Sequence, residues 1–122
     1  MKMLETNGKR LLSEIERIAS FGMIAGKGIN RLALSDHNRD ARDAIVIRME
    51  RLGMTVHIDQ IGNIIGIRKG KLNSNPVMTG SHIDTVKSGG KLDGAYGIIA
   101  GLEAIETLNE LRIETERPLA VT

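Results

Sequence analysis

Apolar positions change period several times along the chain, and each change marks an element. From about Leu4 to Ala19, the positions Gly8, Leu11, Leu12, Ile15, Ile18 and Ala19 keep the three-and-four spacing of one helical face, while Arg10, Glu14, Glu16 and Arg17 fall largely outside it. This predicts an amphipathic helix with Gly22 as its stop. Phe21 to Leu34 carries Gly22, Gly26 and Gly28 with little periodicity and reads as a loop. Ser35 is a good N-cap for a second helix, with Asp36 in its first turn, Ala41, Ala44, Ile45, Met49 and Leu52 as its apolar stripe, and Gly53 at its end. Met54 to Arg68 switches to period two: Val56 and Ile58 alternate with Thr55, His57 and Asp59, Gly62-Asn63 is a turn signal, and Ile64, Ile65 and Ile67 form a second run. A β-hairpin is expected there. After a polar loop from 69 to 76, Val77 to His82 reads as a buried strand. Gly89-Gly90 marks another loop. The helical period returns from Gly94 to about Leu111 through Ile98, Leu102, Ile105 and Leu108, and Gly97 and Gly101, four apart, suit close packing on a sheet. Pro118 to Thr122 has the pattern of a strand.

The order helix, helix, strand, strand, strand, helix, strand predicts an α/β layered domain with at least one strand–helix–strand crossover. A length of 122 residues suits one domain. The 17 basic and 15 acidic residues give a net charge of only +2, and with one Phe, one Tyr and no Trp the chain has neither a basic stripe nor a stacking platform, so nucleic acid is not an expected partner. No cysteine is present, which excludes disulfides and thiolate zinc ligands. No apolar run approaches a membrane span, and the first twenty residues, with Lys2, Glu5, Lys9 and Arg10 among them, hold no signal core. The cytosol is the expected compartment.

The candidate chemistry lies between Gly80 and Gly97. His82 and Asp84 stand two apart at a strand end, where period two sends both to one face. A carboxylate beside an imidazole can hold its N–H, fix the tautomer and leave the other nitrogen for a metal. Asp93, nine residues beyond Asp84, follows a Gly-Gly loop and opens a helix, so it can return to the same crevice. An oxygen–nitrogen set of this kind suits Zn²⁺ or Mn²⁺. The same residues also fit plainer roles. A His-x-Asp pair is often structural, Asp93 could be the N-cap of the following helix, and Gly94-x-x-Gly97 lacks the preceding Gly-x-Gly of a dinucleotide turn.

The stretch Gly80 to Glu103 resembles the first metal motif of the hydantoinase/carbamoylase amidases, a group of di-metal aminopeptidase-like hydrolases. The likeness continues through Asn30-Arg31-Leu32, Ser35-Asp36, Ala41-Arg42-Asp43 and Asp59 to Asn63, and covers about Arg10 to Thr122. It implies a three-layer mixed sheet flanked by helices, with residues 1–122 as the N-terminal part of a catalytic metal-binding domain. It implies His82 as a terminal ligand of one metal and Asp93 as the carboxylate bridging two, with Asp84 as the catalytic-site partner orienting His82. The cofactors would be two divalent ions, Zn²⁺ or Mn²⁺, with Co²⁺ or Ni²⁺ also suitable. It further implies a cis peptide between Asp93 and Gly94, a trans bond counting against the functional geometry, and a homodimer in the full-length family.

The implied reaction is hydrolysis of the linear C–N bond of an N-carbamoyl-L-amino acid, with allantoate or β-ureidopropionate as alternative substrates. The family's glutamate pair, later histidine ligands and lid domain have no counterpart in these 122 residues, which contain no Glu-Glu doublet. The expectation is an N-terminal piece that binds metal weakly and is inactive alone. A non-catalytic remnant of a truncated gene and a small ligand-binding domain are the competing readings. His37 and His57 match no family ligand and are expected at the surface. Asn30 and Arg31 are expected to anchor a loop, Lys69 and Lys71 to be solvated, and Tyr96 to pack.

Overall fold

A computed structural model of the chain describes residues 3–122. Three helices, α1 (Gly8–Ala19), α2 (Asp36–Arg51) and α3 (Ala95–Glu110), accompany six strands: β1 (Met23–Ile24), β2 (Gly28–Ile29), β3 (Thr55–Ile58), β4 (Ile64–Arg68), β5 (Val77–Thr79) and β6 (Leu119–Val121). Asn7 caps α1 by accepting from the Arg10 N–H, and Ser35 caps α2 by accepting from the Asn38 N–H. Each satisfies a donor that the first helical turn leaves open.

The main sheet runs β3-β4-β6-β5. The first two pairings are antiparallel, and β5 with β6 is parallel, joined through α3 as the crossover. The sheet is therefore mixed, as expected for this α/β class. Gly66 pairs with Val121. A Cβ on Gly66 would meet Met49 of α2, and a Cβ on Gly101 of α3 would lie 3.2 Å from Val121, so both helices cover the same face. Helix α1 packs on α3 over that face. The core is Ile15, Ile18, Ala41, Ile45, Met49, Ile98, Ile99, Leu102, Ile105 and Val121. The described residues thus form two layers. The alternate set Ile65, Ile67 and Met78 points to the other face, where no described helix lies.

Two local expectations need correction. The segment from Phe21 to Leu34 contains a small antiparallel ribbon, β1 with β2, whose turn closes through Gly26 at φ +70° and the Lys27 N–H to Ile24 carbonyl bond of 2.9 Å. Strands of two residues are too short to show a period. Strand β5, expected buried, has Val77 and Met78 about half exposed. It is an edge with one neighbour, and only its far end meets α3.

A charged cluster joins the three helices where apolar packing stops. Glu103 of α3 is 1% exposed and accepts from the Asn7 N–H (2.9 Å), Arg10 Nε (2.7 Å) and Nη2 (2.8 Å), and the Thr107 hydroxyl (3.2 Å). Arg48 of α2 bonds Glu106 at 3.1 Å and Glu14 of α1 at 3.4 Å. Burial pushes the Glu103 carboxyl up, but the hydrogen bonds from Arg10 and Asn7 outweigh it and hold the group below its ordinary 4.5. A lowered folded value means that the stabilisation is complete above the ordinary value and is lost as pH falls through the folded one. The Glu103→Gln chain is therefore expected to show a flatter loss of stability below pH 4.5, measured by urea melts across that range. A slope equal to that of the native chain would contradict this role.

Candidate metal centre

The parallel pairing of β5 and β6 sets the position of the site. Beyond β5 it continues through the Thr122 N–H to Thr79 carbonyl and Ser81 N–H to Thr122 carbonyl bonds, both 3.0 Å. Gly80 permits this approach, since a Cβ there would lie 2.6 Å from the Thr122 methyl. His82 is the first residue past the ladder. Ile83 turns inward and is 8% exposed. His82 and Asp84 flank it and both line the crevice at the strand's carboxyl end, as period two requires.

Arg31 fixes this segment. It is 1% exposed, and its Nε donates to the Ile83 carbonyl (2.7 Å) while Nη1 donates to the carbonyls of Ile18 (2.8 Å) and Phe21 (2.9 Å) at the end of α1. Its backbone exchanges bonds with Thr85, N–H to Oγ1 and carbonyl to N–H, each 2.8 Å. Burial pulls the guanidinium below its ordinary range, and the nearby Asp84 charge opposes that. The expected loop anchor is thus a buried cation that ties the His82–Asp84 segment to α1.

The imidazole orientation follows from its partners. His82 Nδ1 lies 2.9 Å from the Asp84 backbone carbonyl, which can only accept, so the proton belongs on Nδ1 and the Nε2 lone pair is free. The Asp84 carboxylate stands farther off, its Oδ1 3.5 Å from Nδ1. The carboxylate expected to hold the ring is therefore assisted, and surpassed, by the same residue's main chain.

Asp93 arrives from the opposite side, with Oδ1 3.8 Å from His82 Nε2. The Ala95 N–H bonds the Asp93 carbonyl at 2.9 Å, and Gly94 between them has φ +74° and ψ −56°, a γ-turn with positive φ. No cis peptide occurs among the described residues, so the cis bond expected between Asp93 and Gly94 is not formed, and this counts against the functional geometry that the resemblance implied. The reversal is made instead by the glycine dihedrals. Gly94 also lies against the imidazole, and a Cβ there would sit 2.5 Å from His82 Nδ1 and Cε1. Gly94 is the N-cap of α3 and makes no side-chain cap bond, so Asp93 does not spend its carboxylate on the helix as an N-cap would.

A divalent ion with bonds of about 2.1 Å to nitrogen and oxygen spans at most about 4.2 Å between two ligands. The 3.8 Å separation lies inside that limit, and the free Nε2 together with an uncapped carboxylate is the donor set such an ion takes. Among the described residues no group of three or more His, Asp or Glu converges in this way. His37 is exposed on the first turn of α2, and His57 is exposed on β3. Tyr96, expected to pack, is 49% exposed on the first turn of α3. Lys71 pairs at the surface with Glu116 at 3.1 Å.

A cavity of about 330 Å³ opens beside the site between α2, the β3–β4 turn and the His82 segment. Asp59 builds that turn, accepting from the Ile61 N–H (3.1 Å), the Asn63 N–H (2.8 Å) and the Asn63 side chain (2.7 Å). Those bonds from Asn63 hold the Asp59 carboxyl below its ordinary range. Arg42 of α2 donates to the Gly62 carbonyl at 2.5 Å. Asn38 and Arg42, four apart on α2, line the cavity. In the sequence Arg42 stands out only as a position of the family resemblance, and nothing local marks Asn38.

Residues 63–121 match Peptidase family M28. The chain is 39% identical over 122 residues to the N-carbamoyl-L-amino-acid amidohydrolase of Pseudomonas sp. (strain NS671), covering 99% of this chain and 30% of that protein. It is 40% identical to the allantoate amidohydrolase of Bacillus subtilis (strain 168), covering 79% of this chain and 24% of that one. The crystal structure of a hydantoinase/carbamoylase family amidase from Burkholderia vietnamiensis superposes with a TM-score of 0.96 at 40% identity, over 99% of this chain and 30% of that one. The chain therefore spans less than a third of the length of these relatives. In sequence and in fold it is similar to about a third of these amidases, and over residues 63–121 to Peptidase family M28.

Proposed function

We propose that His82 and Asp93 are ligands in the divalent-metal centre of an amidohydrolase that cleaves the C–N bond of N-carbamoyl-L-amino acids. The observation that carries this reading is the 3.8 Å approach of a bare imidazole nitrogen to an uncapped carboxylate at the carboxyl end of parallel strands. His82 supplies a neutral lone pair, and Asp93 supplies negative charge that a cation needs. Asp84 acts as a positioning residue, its carbonyl holding the Nδ1 proton so that Nε2 faces the ion. Ile45, Met49 and Ile98 on the cavity wall limit water beside the site. When bound, divalent ions lower the pKa of water and polarise a carbonyl oxygen. Zn²⁺ and Mn²⁺ suit the donor set best, with Co²⁺ and Ni²⁺ close behind.

The preferred substrate class follows the relatives named as N-carbamoyl-L-amino acid amidohydrolases, with the allantoate and ureidoglycolate hydrolases as the neighbouring choice. The products would be the L-amino acid, ammonia and carbon dioxide. Cytosolic placement and a homodimeric full-length enzyme complete this reading. No described helix is long and apolar enough to cross a membrane.

Two protein ligands fall short of the three that a catalytic zinc normally has. Weak metal binding and no ammonia release are therefore expected of the 122 residues by themselves. Calorimetric titration with Mn²⁺ and Zn²⁺ tests the ligands. His82→Ala and Asp93→Ala are each expected to weaken binding about tenfold or more. Asp84→Ala is expected to cost less than either, because a backbone carbonyl remains at position 84. Unchanged affinity in both ligand variants would contradict the assignment, and metal-dependent ammonia release from N-carbamoyl-L-amino acids by these residues would contradict the two-ligand accounting.

A further inference from the structure

We infer that Thr85 is a positioning residue that sets the approach of Asp93 to His82. Those two side chains meet at 3.8 Å, yet they flank a loop, 83–92, that contains no helix or strand. Their spacing therefore depends on what ties the loop down. Both of its halves are tied to one short segment, 29–31. Toward His82, the Thr85 N–H donates to the Arg31 carbonyl and the Arg31 N–H donates to Thr85 Oγ1, each at 2.8 Å. Toward Asp93, Ile29 and Gly89 exchange two backbone bonds of 2.9 Å in an antiparallel bridge. Gly28 allows that bridge, since a Cβ there would lie 2.7 Å from the Gly89 carbonyl oxygen.

Thr85 joins the two ties. It is 5% exposed. Its hydroxyl accepts from Arg31 and has one proton to give, to the Ile29 carbonyl at 3.0 Å or the Val86 carbonyl at 2.8 Å. Gly89 packs directly on it, for a Cβ at position 89 would lie 2.7 Å from Thr85 Cβ. One side chain thus touches the segment 29–31, the tie beside His82 and the tie that leads to Asp93. Exchanging its hydroxyl for a methyl keeps the shape but leaves the buried Arg31 N–H without a partner. Residue 85 then loses its hold on the segment, and the spacing of the two side chains loses its reference. What the spacing serves, a divalent ion, rests on the amidohydrolase reading. The spacing itself belongs to the chain without any ion.

The test follows the nuclear Overhauser effect between His82 Hε1 and Gly94 Hα in the ion-free native chain. These protons are neighbours, because a Cβ on Gly94 would sit 2.5 Å from His82 Cε1. Thr85→Val is expected to lose the effect, and Thr85→Ser, which keeps the hydroxyl, to retain it. Ile105→Val, a core change farther along α3, is expected to leave it intact, which separates positioning from a general loss of stability. If Thr85→Val does not fold by circular dichroism, Gly89→Ala decides: its methyl presses on Thr85 and is expected to weaken the effect. A native effect in Thr85→Val or in Gly89→Ala, a loss in Thr85→Ser, or an equal loss in Ile105→Val overturns the proposal. Mn²⁺ titration of the same chains gives a second readout, with affinity about tenfold weaker in Thr85→Val and native in Thr85→Ser. Equal Mn²⁺ affinity in the native and Thr85→Val chains also overturns it. If the native chain binds no Mn²⁺, the metal reading fails and the Overhauser result still decides the role of Thr85.

Discussion

Replacing Gly94 with alanine is expected to lower metal affinity by about 100-fold or more. Two effects act together. At φ +74° and ψ −56° an L-residue is strained, at a cost of about 1–3 kcal/mol. The new methyl would also lie 2.5 Å from His82 Nδ1 and Cε1. Overlap with the ring could be relieved by rotating the imidazole away, but that breaks the 2.9 Å bond to the Asp84 carbonyl and turns Nε2 off Asp93. Relief by moving the turn displaces Asp93 instead. Either route separates the two ligands, so the loss in Mn²⁺ titrations should exceed the loss in stability from denaturant melts. An alanine variant with native affinity would show that the close packing of Gly94 on His82 does not matter to the site.

The second large effect is expected at Arg31. Arg31→Met keeps much of the shape and removes every side-chain donor. The carbonyls of Ile18, Phe21 and Ile83 then lose their partners in a largely buried region. Each such group costs about 1–3 kcal/mol, so the variant is expected to lose about 3–5 kcal/mol after partial relaxation. A folded domain of this size retains only ~0.05–0.15 kcal/mol per residue, so the loss is a large share of the whole. Urea denaturation measures it directly. Arg31→Lys is expected to recover little, since one ammonium cannot reproduce a forked donor set. A loss below about 1 kcal/mol for Arg31→Met would mean that the three carbonyls find other partners.

Why Arg31 was only partly legible is instructive. Its place in a glycine-rich loop suggested an anchor, yet nothing in local periodicity marks a buried cation, because the carbonyls it satisfies come from residues 18, 21 and 83. Glu103 left a clearer trace. Glu103, Glu106 and Glu110 fall three and four apart on α3, an acidic stripe beside the apolar one, and Arg10 on α1 binds all three. Helices α2 and α3 and the β3–β4 hairpin were legible because long periodic segments with caps and turn residues carry their own signal. The β1–β2 ribbon and the exposure of β5 were not, since the first is too short to show a period and the second depends on which strands lie beside it.

The candidate site divides in the same way. His82, Asp84 and Asp93 were chosen from order and spacing, and the structure sets an Asp84 and an Asp93 carboxylate oxygen 3.5 and 3.8 Å from the two ring nitrogens of His82. The expected cis peptide is absent, and the chain reverses through a glycine γ-turn instead.

Mn²⁺ broadening of the ¹H–¹³C spectrum of the native chain tests the metal centre most directly, because the paramagnetic ion erases resonances in order of their nearness to it. His82, Asp93 and Gly94 are expected to vanish first, at low ion concentration, while His37 and His57 persist. Persistence of the His82 ring signals while other groups broaden would contradict a divalent site between His82 and Asp93.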